Sequence, residues 1–347
     1  MRKKTHSTSN ITLLNNQPNQ SAKKTKNKMT TAPLKNILIL GASGSVGAPI
    51  LAALLSSPSF NITIGSRASS TATFPPHIPI ISLSDAFTLA ELTAAFQNQD
   101  AVVVALSTGP VTADGKDGLA FRLVDAALAA GVKRFVPSEF GANNLDARAR
   151  RLIPTYDAKG HMLEHLIHAC AASKGKMSWT SISCGSWLDW ALDPSKSANF
   201  LGVDVKARTA TVYDSGDCRF AVTTSRNAGL AVAKALQQPH ISANKQIFLC
   251  DFLASTNEIV AALERETRER FRVERRESGP LFRAWRDKYD GGDSGAAFPL
   301  LAMSFGADVD VGYDFLKEQE VWNAKLGLPE VSLEEVVKEA VELAARS

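Results

Sequence analysis

The stretch Ile37-Leu38-Ile39-Leu40-Gly41-Ala42-Ser43-Gly44-Ser45-Val46-Gly47 decides the fold of this chain. Its apolar run reads as a buried strand, and its three glycines as a tight turn. Ala48-Pro49-Ile50-Leu51-Ala52-Ala53-Leu54-Leu55 then reads as a helix. Strand, glycine turn and helix in that order make an anion cradle, because N–H groups and dipole at the helix start both favour negative charge. The spacing is GxxGxxG rather than GxGxxG. Gly41 permits the sharp turn, Gly44 lets backbone approach a pyrophosphate, and Gly47 lets helix and strand pack closely. Pro49 stands about five residues into the expected helix, so the reading expects one lost backbone hydrogen bond there. A plain glycine-rich loop is the alternative, and the β-α pattern that follows weighs against it.

The chain has 347 residues, 45% hydrophobic and 21% charged, as in an ordinary folded protein large enough for a full core. No apolar run is long enough to span a bilayer, and the first residues lack the apolar core of a secretory signal. The four cysteines form no CxxC pair, which suits reduced thiols in a cytoplasmic setting better than disulfides or zinc. The net charge of +4 is concentrated at one end. Residues 1–28 hold seven cations and no acid, leaving a net −3 for the rest, which weighs against nucleic acid as a partner. Residues 1–33 are polar, basic and poor in apolar side chains, so they read as a disordered leader. A targeting tail or a weak nuclear signal at Lys23–Lys28 are the other readings.

Strands are expected at Ile37–Leu40, Phe60–Ile64, Ile78–Leu83, Ala101–Leu106, Lys133–Pro137 and Trp179–Ser183. Helices are expected at Ile50–Leu55, Asp85–Phe96, Leu119–Ala130, which Gly131 ends, and Tyr156–Ala172. Ala101–Leu106 is apolar throughout, as a parallel strand covered on both faces must be. Alternation of this kind predicts an α/β fold, a Rossmann-type doubly wound parallel sheet with ligands at the carboxyl ends of its strands. Residues 34–190 form the expected dinucleotide-binding domain. Residues 191–347 form a smaller α/β substrate-binding region, partly interleaved with it. There the strands read at Arg208–Tyr213, Arg219–Thr224 and Gln246–Cys250, and helices at Ala228–Leu236 and Thr256–Arg270. Ser332-Leu-Glu-Glu335 is a capping box opening the last helix.

The second strand runs into Gly65-Ser66-Arg67. An NAD-selective fold usually has an acid there for the ribose hydroxyls. This chain has Arg67 instead, whose guanidinium suits a 2′-phosphate through charge-assisted hydrogen bonds, so the expected cofactor is NADP(H) rather than NAD(H). A solvated loop arginine is the competing reading.

Three segments, Gly41–Gly47, Ala130-Gly-Val-Lys-Arg-Phe-Val-Pro-Ser-Glu-Phe-Gly141 and Tyr156-Asp-Ala-Lys159, resemble the isoflavone reductase-like proteins, which include phenylcoumaran benzylic ether reductases. These belong to the NmrA-like, atypical branch of the short-chain dehydrogenases. The likeness covers roughly residues 35–345 and loosens after about residue 190. It implies an NADPH-dependent reductase with Lys159 as the catalytic lysine, acting on a small, aromatic or conjugated substrate. A second phosphate-binding lysine used by several members has no match in residues 68–73. Some NmrA-like relatives only sense the dinucleotide, and such regulators tend to lack the lysine.

The residues themselves agree. At 100° per residue Tyr156, Lys159, Met162, Leu163, Leu166, Ile167 and Cys170 share one helix face, and Lys159 is its only charge. A lysine on an apolar stripe is costly unless it reaches a ligand or a partner, and desolvation lowers its proton affinity, which suits either a general acid/base or an electrostatic anchor for the nicotinamide ribose. A lysine that snorkels to water is the alternative. Tyr156 is one residue too close for the usual Tyr-x-x-x-Lys pair and receives no catalytic role. His161-Met-Leu-Glu-His165 fits the HxxEH pattern of a zinc peptidase, but with His168 it falls on the opposite face, so no metal site is assigned.

Ser107 and Ser138 end strands and are expected to line the cofactor groove. Gly185, Trp187 and Trp190 are expected near the reacting centre, the tryptophans either stacking on substrate or filling core. Asp290–Gly295 reads as a loop over the substrate, and Phe298–Phe305 as pocket lining. The expected partner is a small-molecule substrate, with neither nucleic acid nor membrane, and no oligomeric state is assigned.

Overall fold

The computed structural model describes residues 33–113 and 115–346, so the basic leader lies, Pro33 apart, outside the described residues. In chain order the strands are β1 (Asn36–Leu40), β2 (Asn61–Arg67), β3 (Ile80–Leu83), β4 (Ala101–Val104), β5 (Arg134–Val136), β6 (Ser178–Ser183), β7 (Val203–Asp204), β8 (Thr209–Tyr213), β9 (Phe220–Val222), β10 (Lys245–Phe248), β11 (Phe252–Ala254) and β12 (Arg272–Arg276). The longer helices are α1 (Gly47–Leu55), α2 (Leu89–Phe96), α3 (Leu119–Ala129), α4 (Pro154–Ala172), α5 (Ser225–Gln237), α6 (Thr256–Thr267), α7 (Ser278–Asp290), α8 (Ala297–Gly306) and α9 (Leu333–Arg346).

Seven strands form one sheet in the order β10-β6-β5-β4-β1-β2-β3, every pair parallel. The order reverses between β1 and β4, so their carboxyl ends open the crevice that such sheets use for ligands. Ile37, Leu38, Ile39 and Leu40 are all 0% exposed. Ile37 and Ile39 pack into one core with Ile50, Leu54 and Val232, and Leu38 and Leu40 into the other with Leu92, Phe96 and Leu163. Alternate side chains thus feed opposite helical layers, which is why the strand is apolar at every position. Helix α5 packs on α1 through Gly229, where a Cβ would stand 2.5 Å from the Pro49 carbonyl oxygen. With β10 beside β6, residues 225–248 rejoin the first sheet.

The remaining strands form a three-stranded sheet, β12-β8-β7, and an antiparallel pair, β9 with β11. They pack with α6, α8 and α9 around a separate core that includes Phe220, Leu263 and Val337. Among the described residues no helix is long and apolar enough to cross a membrane. Cys170, Cys184, Cys218 and Cys250 are free thiols.

Several boundaries differ from the sequence reading. Helix α1 begins at Gly47, so Pro49 is its third residue. An N–H in the first turn has no helical partner, and the expected lost hydrogen bond does not arise. The helix expected from Asp85 starts at Leu89, because Thr88 and Glu91 form a reciprocal capping box. The helix expected to reach Arg270 stops at Thr267, with Arg268 left-handed at φ +56°. Strand β12 was not read at all. Its five residues are exposed, so no hydrophobic alternation marks it, and only pairing with β8 makes it a strand. Gly131 does follow α3 with φ +76°, and Ser332 and Glu335 do form the capping box.

Candidate active site

The site is built where β1, β4, β5 and β6 end. Gly41 leaves β1 with φ +79°, and a Cβ there would meet the Ala105 carbonyl oxygen at 2.4 Å. A Cβ on Gly47 would stand 2.0 Å from the Gly41 carbonyl oxygen. The turn therefore closes only with glycine at both places. Ser43, Gly44 and Ser45 are exposed on it, while Ala42, Val46 and Gly47 are buried beneath. No side chain caps α1 and no acid stands in its first turn. A helix start left uncapped beside an exposed glycine turn fits an anionic ligand.

From this turn a cleft of about 660 Å³ runs across the carboxyl edge of the sheet. Gly44, Ser45 and Val46 form one end, and Ser107 and Ser138 line the middle. Ser138 Oγ donates to the Leu106 carbonyl at 2.7 Å, which ties the ends of β4 and β5 together. The far end is aromatic, with Trp187, Trp190, Phe200, Tyr289, Phe298 and Phe305. The Trp187 and Trp190 rings meet edge to face at 5.9 Å, and Trp190 meets Phe200 at 5.4 Å. Trp187 backs onto the sheet core and Trp190 onto the second core, so each tryptophan both fills core and faces the cleft. Gly185, Ser294, Gly295 and Leu301 also line it, as the reading of residues 185 and 290–305 expected. Phe200 gave no sequence signal. It is brought in by Ala198 and Asn199, at φ +51° and +59°.

Lys159 enters from the start of α4. It is 7% exposed, and its Nζ donates to the Glu139 carbonyl oxygen at 2.9 Å. Burial lowers its proton affinity, and the Glu139 and Cys184 side chains oppose that shift. The Glu139 carboxyl is shifted upward by burial, partly offset by Lys159 and by a hydrogen bond from Asn144. The sequence reading quoted Glu139 within a motif but gave it no part. Its one signal was an acid in the turn that follows a buried strand.

Tyr156 lines the cleft, yet its hydroxyl lies 2.7 Å from that of Tyr313. Ser304 Oγ donates to the Leu301 carbonyl at 2.7 Å and also lies 2.7 Å from the Tyr313 hydroxyl. Since Ser304 has one proton, Tyr313 donates to Ser304, and Tyr156 donates to Tyr313. Burial holds the Tyr156 phenol well above its ordinary range. Its proton is committed to Tyr313.

Arg67 stands at the end of β2, outside this cleft, with its side chain 55% exposed and Asp85 3.9 Å away. His161 and His168 are exposed on the outer face of α4, and His165 is half-buried against the Phe121 ring, 4.9 Å between centroids. Among the described residues no group of three or more His, Cys, Asp or Glu is placed to hold a metal.

A glycine turn at the switch point of a parallel sheet, joined to a cleft with a buried amine, defines the class: a Rossmann-type dinucleotide-binding protein. Comparison with known proteins agrees. A family model described as NAD(P)H-binding matches residues 41–212. The chain is 32% identical to "Oxidoreductase poxI" of Penicillium oxalicum over 323 residues, 91% of this chain and 96% of that protein. It is 30% identical to "Oxidoreductase aprR" of Aspergillus flavus over 302 residues, 87% of this chain and 97% of that one. Its fold is similar to the solved structure "AtPrR2 with NADP+ and (+)pinoresinol", with a TM-score of 0.66 at 19% identity, covering 89% of this chain and 99% of that one. The chain belongs to the family of NAD(P)H-binding oxidoreductases that includes these two fungal proteins.

Proposed function

We propose that this oxidoreductase is an NADPH-dependent reductase of a small aromatic or conjugated substrate, with Lys159 as its general acid/base. The observation that carries the reading is a buried amine in the same cleft as the glycine turn. The residues present fit a nicotinamide dinucleotide: glycines 41 and 47 close a cradle that any Cβ would fill, and α1 begins without a side-chain cap. Residues Gly41, Ala42, Ser43, Gly44, Ser45, Val46 and Gly47 would hold the pyrophosphate, Arg67 the 2′-phosphate, and Ser107 and Ser138 the nicotinamide half. Bound there, NADPH supplies a hydride.

Lys159 then delivers the matching proton to the substrate atom that takes up negative charge. Of its hydrogen-bonding capacity, one N–H is held by the Glu139 carbonyl, which fixes the amine and leaves the others available to a ligand. The aromatic rings at the far end exclude water and offer faces and edges to a planar substrate. Arg67 and Asp85 form an exposed, long ion pair of little worth, which a phosphate dianion displaces readily. The expectation that regulators of this kind lack such a lysine favours the enzyme reading over the regulator, since Lys159 is present and lines the cleft.

The test measures NADPH and NADH binding, and NADPH consumption against aromatic ketones, enones and benzylic ethers. Lys159→Ala is expected to keep NADPH affinity within about tenfold and to lose turnover by about 10²–10⁴. Arg67→Ala is expected to weaken NADPH about tenfold or more while leaving NADH unchanged. Undiminished turnover in Lys159→Ala discards its role. Binding without consumption against any substrate favours the regulator.

A further inference from the structure

The loop after β5 is bent twice within three residues. The Glu139 N–H bonds to the Pro137 carbonyl at 2.9 Å, and Phe140 follows at φ +42°. A phenylalanine in that region is strained, and strain of this kind persists where a site requires the geometry. The double bend aims the Glu139 carbonyl at Lys159 Nζ and turns the Glu139 side chain inward, where the residue is 2% exposed. One carboxyl oxygen, Oε2, accepts from Asn144 Nδ2 at 2.6 Å. The other, Oε1, is buried with no hydrogen-bond partner, as is Asn144 Oδ1. A half-satisfied buried carboxyl is destabilising unless something nearby uses its charge.

The titratable groups around it narrow the choice. From α4 come Lys159 and the Tyr156 hydroxyl, whose proton is committed to Tyr313. From the end of β6 comes the Cys184 thiol, pushed up to about 12 by burial and therefore neutral. From the short helix Ala147–Leu152 comes Arg150, whose guanidinium is already taken by Asp157 and Glu164. Lys159 is the cation of this group that has no carboxylate within ion-pair distance among the described residues.

We propose that Glu139 is a positioning residue that keeps the buried amine of Lys159 protonated, supplying through its carboxylate the countercharge that the strained loop holds in place. The proposal rests on the reading of Lys159 as proton donor and deepens it. Burial disfavours both charges, and each opposes the other's shift. Without this carboxylate, burial would lower the proton affinity of the ammonium further, and less of it would reach the reaction protonated.

The test reads the two groups directly, without substrate, in the full chain. The Lys159 15Nζ resonance is followed against pH in 13C,15N-lysine-labelled protein and assigned by its loss in Lys159→Met. Glu139→Gln keeps the shape and an Asn144 contact but removes the charge. The Lys159 midpoint is expected to fall by about one pH unit or more, a tenfold loss of proton affinity. Glu139→Asp keeps the charge and is expected to hold the midpoint nearer the wild type. A purely structural role would give the reverse order. Lys159→Met offers a second route should Glu139→Gln not fold, because the 13Cδ midpoint of Glu139 should then rise. A Lys159 midpoint that does not move in Glu139→Gln, or a Glu139 midpoint that does not rise in Lys159→Met, overturns the proposal. Intact turnover in Lys159→Ala would refute the donor role alone, since the coupled titration is read independently of turnover.

Discussion

The phenolic oxygens of Tyr156 and Tyr313 lie 2.7 Å apart although 157 positions separate them in the chain. Their bond joins the start of α4 to the second core, and Ser304 fixes its direction. The Tyr156 hydroxyl is thereby spent on architecture.

This role is measurable. Tyr156→Phe is expected to keep NADPH consumption within about tenfold of wild type, well short of the loss expected for removing a general acid. Tyr313→Phe strands the Tyr156 hydroxyl in the core and should cost about 1–3 kcal/mol in urea unfolding. A Tyr156→Phe variant as inactive as Lys159→Ala would return the tyrosine to the chemistry.

The glycine turn separates two effects of one added methyl. In Gly47→Ala the new Cβ falls 2.0 Å from the Gly41 carbonyl oxygen, so the turn must open. Overpacking of this kind costs about 1–3 kcal/mol, and NADPH affinity should fall with the melting temperature. Gly44 is exposed, and its Cβ would stand 3.3 Å from the same oxygen, a tight contact that a shift of a few tenths of an ångström relieves, unlike the overlap at Gly47. Gly44→Ala is therefore expected to melt near the wild type yet bind NADPH less tightly. Thermal unfolding and fluorescence titration side by side check both.

Asp100 gives a pH dependence of known sign. Its carboxylate accepts from Lys35 N at 2.8 Å, Asn36 N at 2.9 Å and Lys133 Nζ at 2.6 Å, tying the start of β1 to that of β5. Burial raises its pKa, but Lys133 and the two N–H groups outweigh that and hold it below the usual carboxylate range. A lowered folded-state pKa means stability that is fully present above the unfolded value, about 3.9, and lost as pH falls through the folded one. Asp100→Asn should lose stability at neutral pH and show a shallower decline between about pH 4 and pH 2. Equal slopes in urea melts across that window would remove Asp100 from the acid response.

Much of the sheet was legible because its signals are local. Ile37–Leu40 and Ala101–Val104 are apolar at consecutive positions, and Gly131 stops its helix by itself. The face of α4 was equally plain: the seven residues placed together by 100° periodicity are buried or half-buried. Strand β12 escaped because an exposed, charged edge carries no periodic signal. Thr88, Asn144 and Phe200 escaped because a cap, a buried amide and a ring moved by two left-handed residues look like ordinary loop residues in one dimension.

By itself the sequence determined the parallel α/β plan, the place of the glycine turn and the face on which Lys159 stands. Each follows from residue spacing and backbone sterics over less than about twenty positions. The tertiary structure alone decided where Glu139 points, which way the Tyr156 proton faces and that Phe200 joins the aromatic end of the cleft. Those outcomes depend on contacts between distant segments and on how deeply each group is removed from water, quantities that exist only once the chain has closed on itself.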